Sequence, residues 1–183
     1  MMGKIIARPQ LTFTEALNEA KGKLMDWKGR SRRSEFWWCS LAVFIASFVL
    51  GFIPLLGQLL SLLLALIMIP ISMRRLHDTG RSGWWLLAMI VVSGAYSSII
   101  LNAMVSAIDG NSDRMLEKML ETIANPVTLV LWLLSVILSI TLLVFFCQDS
   151  KPEPNKWGDS PKYVEDDDDF GSKTYGQPEF ERV

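Results

Sequence analysis

The chain has 183 residues, about one domain's worth, of which half are hydrophobic and a fifth charged, with a mean hydropathy of +0.28. A soluble domain of this size keeps much of its surface wet and cannot bury so much apolar material, which excludes an ordinary soluble fold. The net charge of −1 offers no basic excess for nucleic acid, and Cys39 and Cys147 form neither a disulfide framework nor a zinc spacing.

Charges are absent from Phe36 through Met73, from Ser82 through Ile108 and from Thr122 through Gln148. A bilayer-spanning helix needs about 20 mostly apolar residues, so these runs read as two, one and one spans. The expectation is an all-α integral membrane protein. Four transmembrane helices are arranged as two hairpins, with an N-terminal amphipathic helix and an interfacial helix before the last span.

Residues Met1–Gln10 give little signal. Thr12 and Glu15 then have capping-box spacing, and Phe13, Ala16, Leu17, Ala20 and Leu24 recur at helical spacing among polar residues. Such a helix lies on the membrane surface or packs on the rest of the protein. No A-x-A-like site precedes the first span, so no cleaved signal peptide is expected. Between Trp27 and Trp38, cationic residues meet tryptophans directly before a long apolar run. That pattern anchors a span at the headgroup level, and Arg30, Arg32 and Arg33 also suit anionic headgroups.

Phe36–Met73 is long enough for two crossings, at about 36–53 and 58–73, at 1.5 Å rise per residue. Pro54, Gly57 and the polar Gln58 supply the reversal. Pro70 is expected to kink or end the second span. The third span is 84–108 and the fourth about 127–147. Ser93, Gly94, Ser97 and Ser98 in the third, and Ser135 and Ser139 in the fourth, let helix backbones approach closely. Between those spans an amphipathic segment, Asp109–Asn125, is stopped by Pro126. The domains are therefore 1–35, an amphipathic N-terminal segment; 36–148, the four-helix unit; and 149–183, a largely disordered acidic tail in which Asn155–Pro161 is a turn-like segment able to dock.

Positive charge fixes the expected orientation. Six Lys or Arg lie between Lys21 and Arg33, three between Arg74 and Arg81, and Lys151, Lys156 and Lys162 follow the last span. The Pro54–Gln58 turn has none. Both termini and the Arg74–Arg81 connection are thus expected in the cytoplasm, where both cysteines are reduced.

Three stretches carry a family likeness: Gly29-Arg30-Ser31-Arg32-Arg33-Ser34-Glu35-Phe36-Trp37, then Arg74-Arg75-Leu76-His77-Asp78-Thr79-Gly80-Arg81-Ser82-Gly83-Trp84-Trp85, and Asn155-Lys156-Trp157-Gly158 with Pro161. With them the chain resembles the bacterial domain-of-unknown-function 805 family of small inner-membrane proteins, over about Phe13 to Pro161. The chain departs from that pattern in a long segment before its last span and in its acidic tail. The resemblance implies location and architecture, and it brings no activity with it.

The central block admits three readings. His77 beside Asp78 resembles a carboxylate-oriented histidine, but neighbours in a helix point apart and no nucleophile or metal pattern accompanies them, so no enzyme, cofactor or metal site is expected. A structural cap would pair Arg74, Arg75 and Arg81 with Glu35, Asp78 or Asp149, with Thr79 or Ser82 capping the third helix. Recognition of an anionic partner would use two Arg/Trp clusters, Gly29–Ser31 with Trp37–Trp38 and Gly80–Ser82 with Trp84–Trp85, so that Arg30 and Arg81 grip the partner; Arg32, Arg33 and Asn155 are further candidates for the cap or a lipid site. The candidate partners are the lipid bilayer, an anionic phospholipid, a membrane-protein partner or a second copy. The reading is a structural or interaction protein of the inner membrane. A small oligomeric transporter or channel subunit is the alternative, weakened by the absence of charge inside the spans.

Overall fold

The computed structural model describes residues 5–108 and 112–165. Strand β1 is Ile5–Ala7, and helix α1 is Phe13–Gly22. Four long helices follow: α2, Arg33–Leu50; α3, Leu56–Asp78; α4, Trp84–Ile108; and, after the shorter α5, Ser112–Ala124, α6, Pro126–Cys147. Strand β2, Tyr163–Glu165, closes the described chain. The molecule is mainly helical, and α2, α3, α4 and α6 are each long and apolar enough to cross a membrane.

Local chemistry sets the helix ends. Thr12 and Glu15 form the expected capping box, with the Glu15 carboxylate accepting from the Thr12 N–H at 2.8 Å. Asn125 caps α6 by accepting from the Val127 N–H at 2.9 Å, and Pro126 sits at the first helical position, where a missing N–H costs nothing. The end of α3 is a Schellman turn: Arg81 N–H donates to the Leu76 carbonyl and Gly80 N–H to that of His77, both at 2.9 Å. Gly80 permits it because its φ is +79°.

Helix α2 packs along α3, and α4 packs along α6 and α5. Ala16 and Ala20, on one side of α1, are buried where α1 meets α2, and their small side chains let the two helices approach. The apolar core is correspondingly small: Ala20, Phe36, Cys39 and Ile71, with Leu17, Met68 and Phe146 against it. Phe36 and Phe146, ring centroids 4.5 Å apart, join α2 to α6. Large apolar side chains elsewhere on the long helices face outward, as lipid-facing residues do.

Several expectations are corrected. Of the two outcomes expected at Pro70, an end is not what occurs, for helix α3 runs eight residues beyond it to Asp78. A proline forfeits one backbone bond, but Pro70 is buried, and Ile71, Ser72 and the following turns are held by packing. The reversal occupies residues 51–55, so Gln58 lies inside α3 rather than at the tip. Helix α2 begins at Arg33 and the boundary expected at residue 35 falls within it. The start of the tail carries a short strand that was not expected: β2 pairs antiparallel with β1, Ile6 opposite Val164, and Arg8 N–H donates to the Lys162 carbonyl at 2.8 Å. The expectation of disorder beyond that lies outside the described residues. Cys39 is buried, whereas Cys147 is exposed.

The 51–55 connection brings Gly57 so close to the Leu50 carbonyl that an added Cβ would collide with backbone, while Gly94 has open space around it. Gly57→Ala is therefore expected to cost about 1–3 kcal/mol as an overpacking change. Gly94→Ala should stay within about 0.5 kcal/mol of the parent. Thermal unfolding of both variants in the same detergent checks the difference.

Candidate functional site

The largest fully buried side chains of this protein are mostly polar. Arg74, Arg75, Glu35 and Asp78 are all at most 1 % exposed, alongside Ile71 and Leu76. They come together because α3 carries Arg74, Arg75, His77 and Asp78 on its last turns, where α1, α2, the end of α6 and the 149–160 segment meet.

Asp78 is the centre. Its carboxylate accepts from Arg30 Nε at 2.9 Å, from Arg75 Nη1 at 2.6 Å one helical turn away, and from the Ser150 hydroxyl. An isolated carboxylate at 0 % exposure would carry a large desolvation cost, and three donors offset it. Arg74 pairs in the same way with Glu35, Nη2 to Oε1 at 3.0 Å.

Most of the arginines' remaining donors go to backbone carbonyls, Arg74 Nε being the exception, buried with no partner among the described residues. Arg75 reaches Ser31 at 3.3 Å, Phe146 at 3.2 Å and Gln148, the last two at the C-terminus of α6. Arg74 reaches Lys23 and, at 3.1 Å, Asp26, just past α1. Helix C-termini carry unsatisfied carbonyls and a partial negative charge, so two neighbouring residues of α3 cap two other helices. Arg30 donates to Glu153 at 2.9 Å, Gly158 at 3.3 Å, and Lys151, binding the tail segment to the end of α3. Asn155 adds a bond to the His77 carbonyl at 3.0 Å.

His77 and Asp78 diverge. The imidazole stacks on Trp157, centroids 4.3 Å apart at 9°, and its Nδ1–H donates to the Gly29 carbonyl at 3.3 Å. The carboxylate is taken up by Arg30, Arg75 and Ser150. This is a packed histidine holding two loops together rather than a histidine oriented by its neighbour.

Arg30, Glu35, Arg74, Arg75, His77, Asp78 and Asn155 thus converge. Arg81 stays at the rim, with its guanidinium 3.8 Å above the Phe145 ring and a bond to the Gln148 side chain instead of Asp149. Trp84, 74 % exposed, and Trp85, edge-on to Phe145 at 5.5 Å, lie on the flank and do not join the cap. Of the two helix-capping hydroxyls considered, Thr79 donates back to the Leu76 carbonyl and Ser82 accepts from Trp84 N–H at 3.5 Å.

Arg32 and Arg33 face a different place. Arg32 donates to the Pro9 carbonyl at 2.9 Å, and burial followed by the nearby Arg8 charge lowers its pKa against the pull of Glu19, Glu35 and Glu15. Arg33 donates to the Cys147 carbonyl at 3.3 Å and lies 4.0 Å from Asp149. Ser150 was not indicated by the sequence, since a lone serine in a polar tail has no pattern. The Trp157 stack was signalled only by the Asn155–Gly158 stretch.

The fold and cap define a class: a multi-pass helical membrane protein whose buried charges are held by one another and by helix ends. The chain belongs to the family described as "Protein of unknown function (DUF805)", whose model matches residues 24–159. It is 35% identical over 77 residues to "Inner membrane protein YhaH" of Escherichia coli (strain K12), covering 36% of this chain and 64% of that protein, less than two thirds of its length. It is 26% identical over 145 residues to "Inner membrane protein YhaI" of the same strain, covering 75% of this chain and 86% of that protein. No solved structure matches the chain.

Removing Asp78 leaves Arg30 and Arg75 buried without their carboxylate. Asp78→Ala should therefore cost about 3–5 kcal/mol, the usual range for breaking one side of a buried pair. Arg33→Ala, at an exposed 4.0 Å pair, should cost no more than about 1 kcal/mol. Protein abundance in membranes and unfolding temperature in detergent distinguish the two.

Acid should loosen the tail. Burial pushes Asp149 upward, but the Lys162 hydrogen bond, the Ser150 N–H and the Lys162 and Arg33 charges together hold it below the usual carboxylate range. A carboxylate lowered in the folded state stabilises above its unfolded pKa, and that contribution is lost as pH falls through the lower folded value. The hydrogen-exchange protection of amides around Tyr163, taken relative to the intrinsic rate at each pH, should therefore fall on acidification below the ordinary carboxylate range. Asp149→Asn should lower that protection already at neutral pH and flatten the dependence.

Proposed function

We propose that this is a structural or interaction protein of the bacterial inner membrane, with its four spans paired as two hairpins and both termini and the cap in the cytoplasm. Helices α1 and α5 lie at the membrane surface. The orientation is supported by the Lys and Arg excess beside the cap and its absence from the 51–55 connection. The inner-membrane assignment is supported by the names of the relatives YhaH and YhaI.

One observation carries the functional reading. The buried charges of the cap are consumed inside the protein, Arg30 and Arg75 by Asp78 and Arg74 by Glu35. Charges that move a solute or a proton line a water-filled path and change partners. Charges that fix a shape are satisfied and dry. The cap therefore serves to lock the two hairpins into one platform, leaving its rim to meet an anionic lipid or a membrane-protein partner.

Purified protein in liposomes should move neither ions nor small solutes faster than protein-free vesicles. In cells, with the native Cys39 and Cys147 replaced by alanine, a cysteine placed at Leu55 should react with an impermeant maleimide from outside, and one placed at the exposed Asp159 only after permeabilisation. Solute flux that disappears in Ser97 or Gly94 variants would overturn the reading in favour of an oligomeric transporter.

A further inference from the structure

Beside the cap, at the start of α2, is an open cleft of about 690 Å³ that the buried network does not use. Among the described residues its lining is mostly cationic where it is charged: Arg32, Arg33 and Lys162, with Arg8 nearby, share the rim with the carboxylate of Asp149. Its wall is apolar and aromatic, made by Trp37, Trp38 and Leu41. We propose that this cleft holds the phosphate headgroup of an anionic phospholipid, with the acyl chains lying along α2. The proposal rests on the platform reading above and gives it a specific lipid.

Three features favour a lipid over other occupants. The first turn of α2 has no side-chain cap, so its end offers backbone N–H groups and a positive dipole to an anion. Tryptophans at the mouth belong at the headgroup level, as in other membrane boundaries. Finally, the cleft opens onto a continuous apolar stripe. Trp37, Leu41, Phe44 and Phe48 follow one another at helical spacing along α2, and all are exposed, Phe44 to 69 % and Phe48 to 64 %. A free phosphate would use the rim and ignore the stripe, whereas a phospholipid uses both. Asp149 sets the register, since it engages Lys162 and lies 4.0 Å from Arg33, placing both cations along one edge.

The test uses the full chain in mixed micelles with equal phosphatidylglycerol and phosphatidylcholine, read by native mass spectrometry. The parent should retain phosphatidylglycerol preferentially. Arg33→Gln/Lys162→Gln should lose at least about tenfold of that preference, because each removes a cation next to an anionic headgroup. Arg81→Gln, which is not among the residues lining the cleft, should keep it. If the double variant melts below the parent, Arg33→Gln alone, at an exposed 4.0 Å pair, should show a partial loss with unfolding little changed. Equal retention in the double variant overturns the proposal while leaving the platform reading intact if the liposomes are inert. Displacement of the lipid by millimolar inorganic phosphate also overturns it, assigning the cleft to a soluble anion. Flux in the liposomes sinks the platform reading whatever lipid is retained.

Discussion

The structure depends on one constraint: charge buried near a bilayer must be satisfied within the protein. Asp78 meets it with three donors, and the arginines that serve it extend onward to carbonyls on other segments. Because the segments so bound are α1, α2, α6 and the tail, the network is also the main joint of the fold. Packing alone would not supply that joint. The apolar core is only a few residues wide, and between lipid-facing helices there is little hydrophobic drive to associate. Polar bonds in a dry setting take over the role that a core plays in a soluble domain. A network of this kind confers specificity as much as stability, since a helix shifted by one residue would leave several of its donors empty.

What the sequence made legible follows from how each signal is encoded. The spans were readable because little besides a membrane crossing keeps a run of that length free of charge, and α4 and α6 fall close to their expected bounds. The capping box at Thr12 and the stop at Asn125–Pro126 were readable because caps are local. The continuation of α3 past Pro70 was not, because propensity argues for a break there and only the burial of the following turns overrides it. Three-residue strands joined across more than 150 residues leave no periodicity to detect, so the β1–β2 pairing at Ile6 and Val164 was invisible.

The site was legible in composition and obscure in connection. The motif arginines and their two carboxylates were identified, but a sequence does not say which cation meets which acid. Arg30, grouped with Arg32 and Arg33 as one basic cluster, separates from them completely: it turns into the network while its neighbours face the cleft. The reason is the glycine before it. Gly29, at φ +91°, turns the chain so that Ser31 N–H bonds the Arg74 carbonyl at 3.1 Å and Arg30 points at Asp78. Alternation of one residue in such a loop decides whether a cation becomes structure or remains available.

That division accounts for the motif's use of arginine rather than lysine where it is buried. An ammonium offers three donors from one point, whereas a guanidinium presents five in a plane that can span two partners at once. Arg75 satisfies Asp78 on one edge and two carbonyls at the end of α6 on the other. Arg30 does the same between Asp78 and the carbonyls of Lys151, Glu153 and Gly158. A lysine in either place would keep the charge and the ion pair yet lose the reach that joins one helix to another segment. The lysines of this region are found accordingly at the edge, Lys156 over the Trp157 ring and Lys162 beside Asp149 and over the Tyr163 ring, where no two segments have to be spanned by a planar fork.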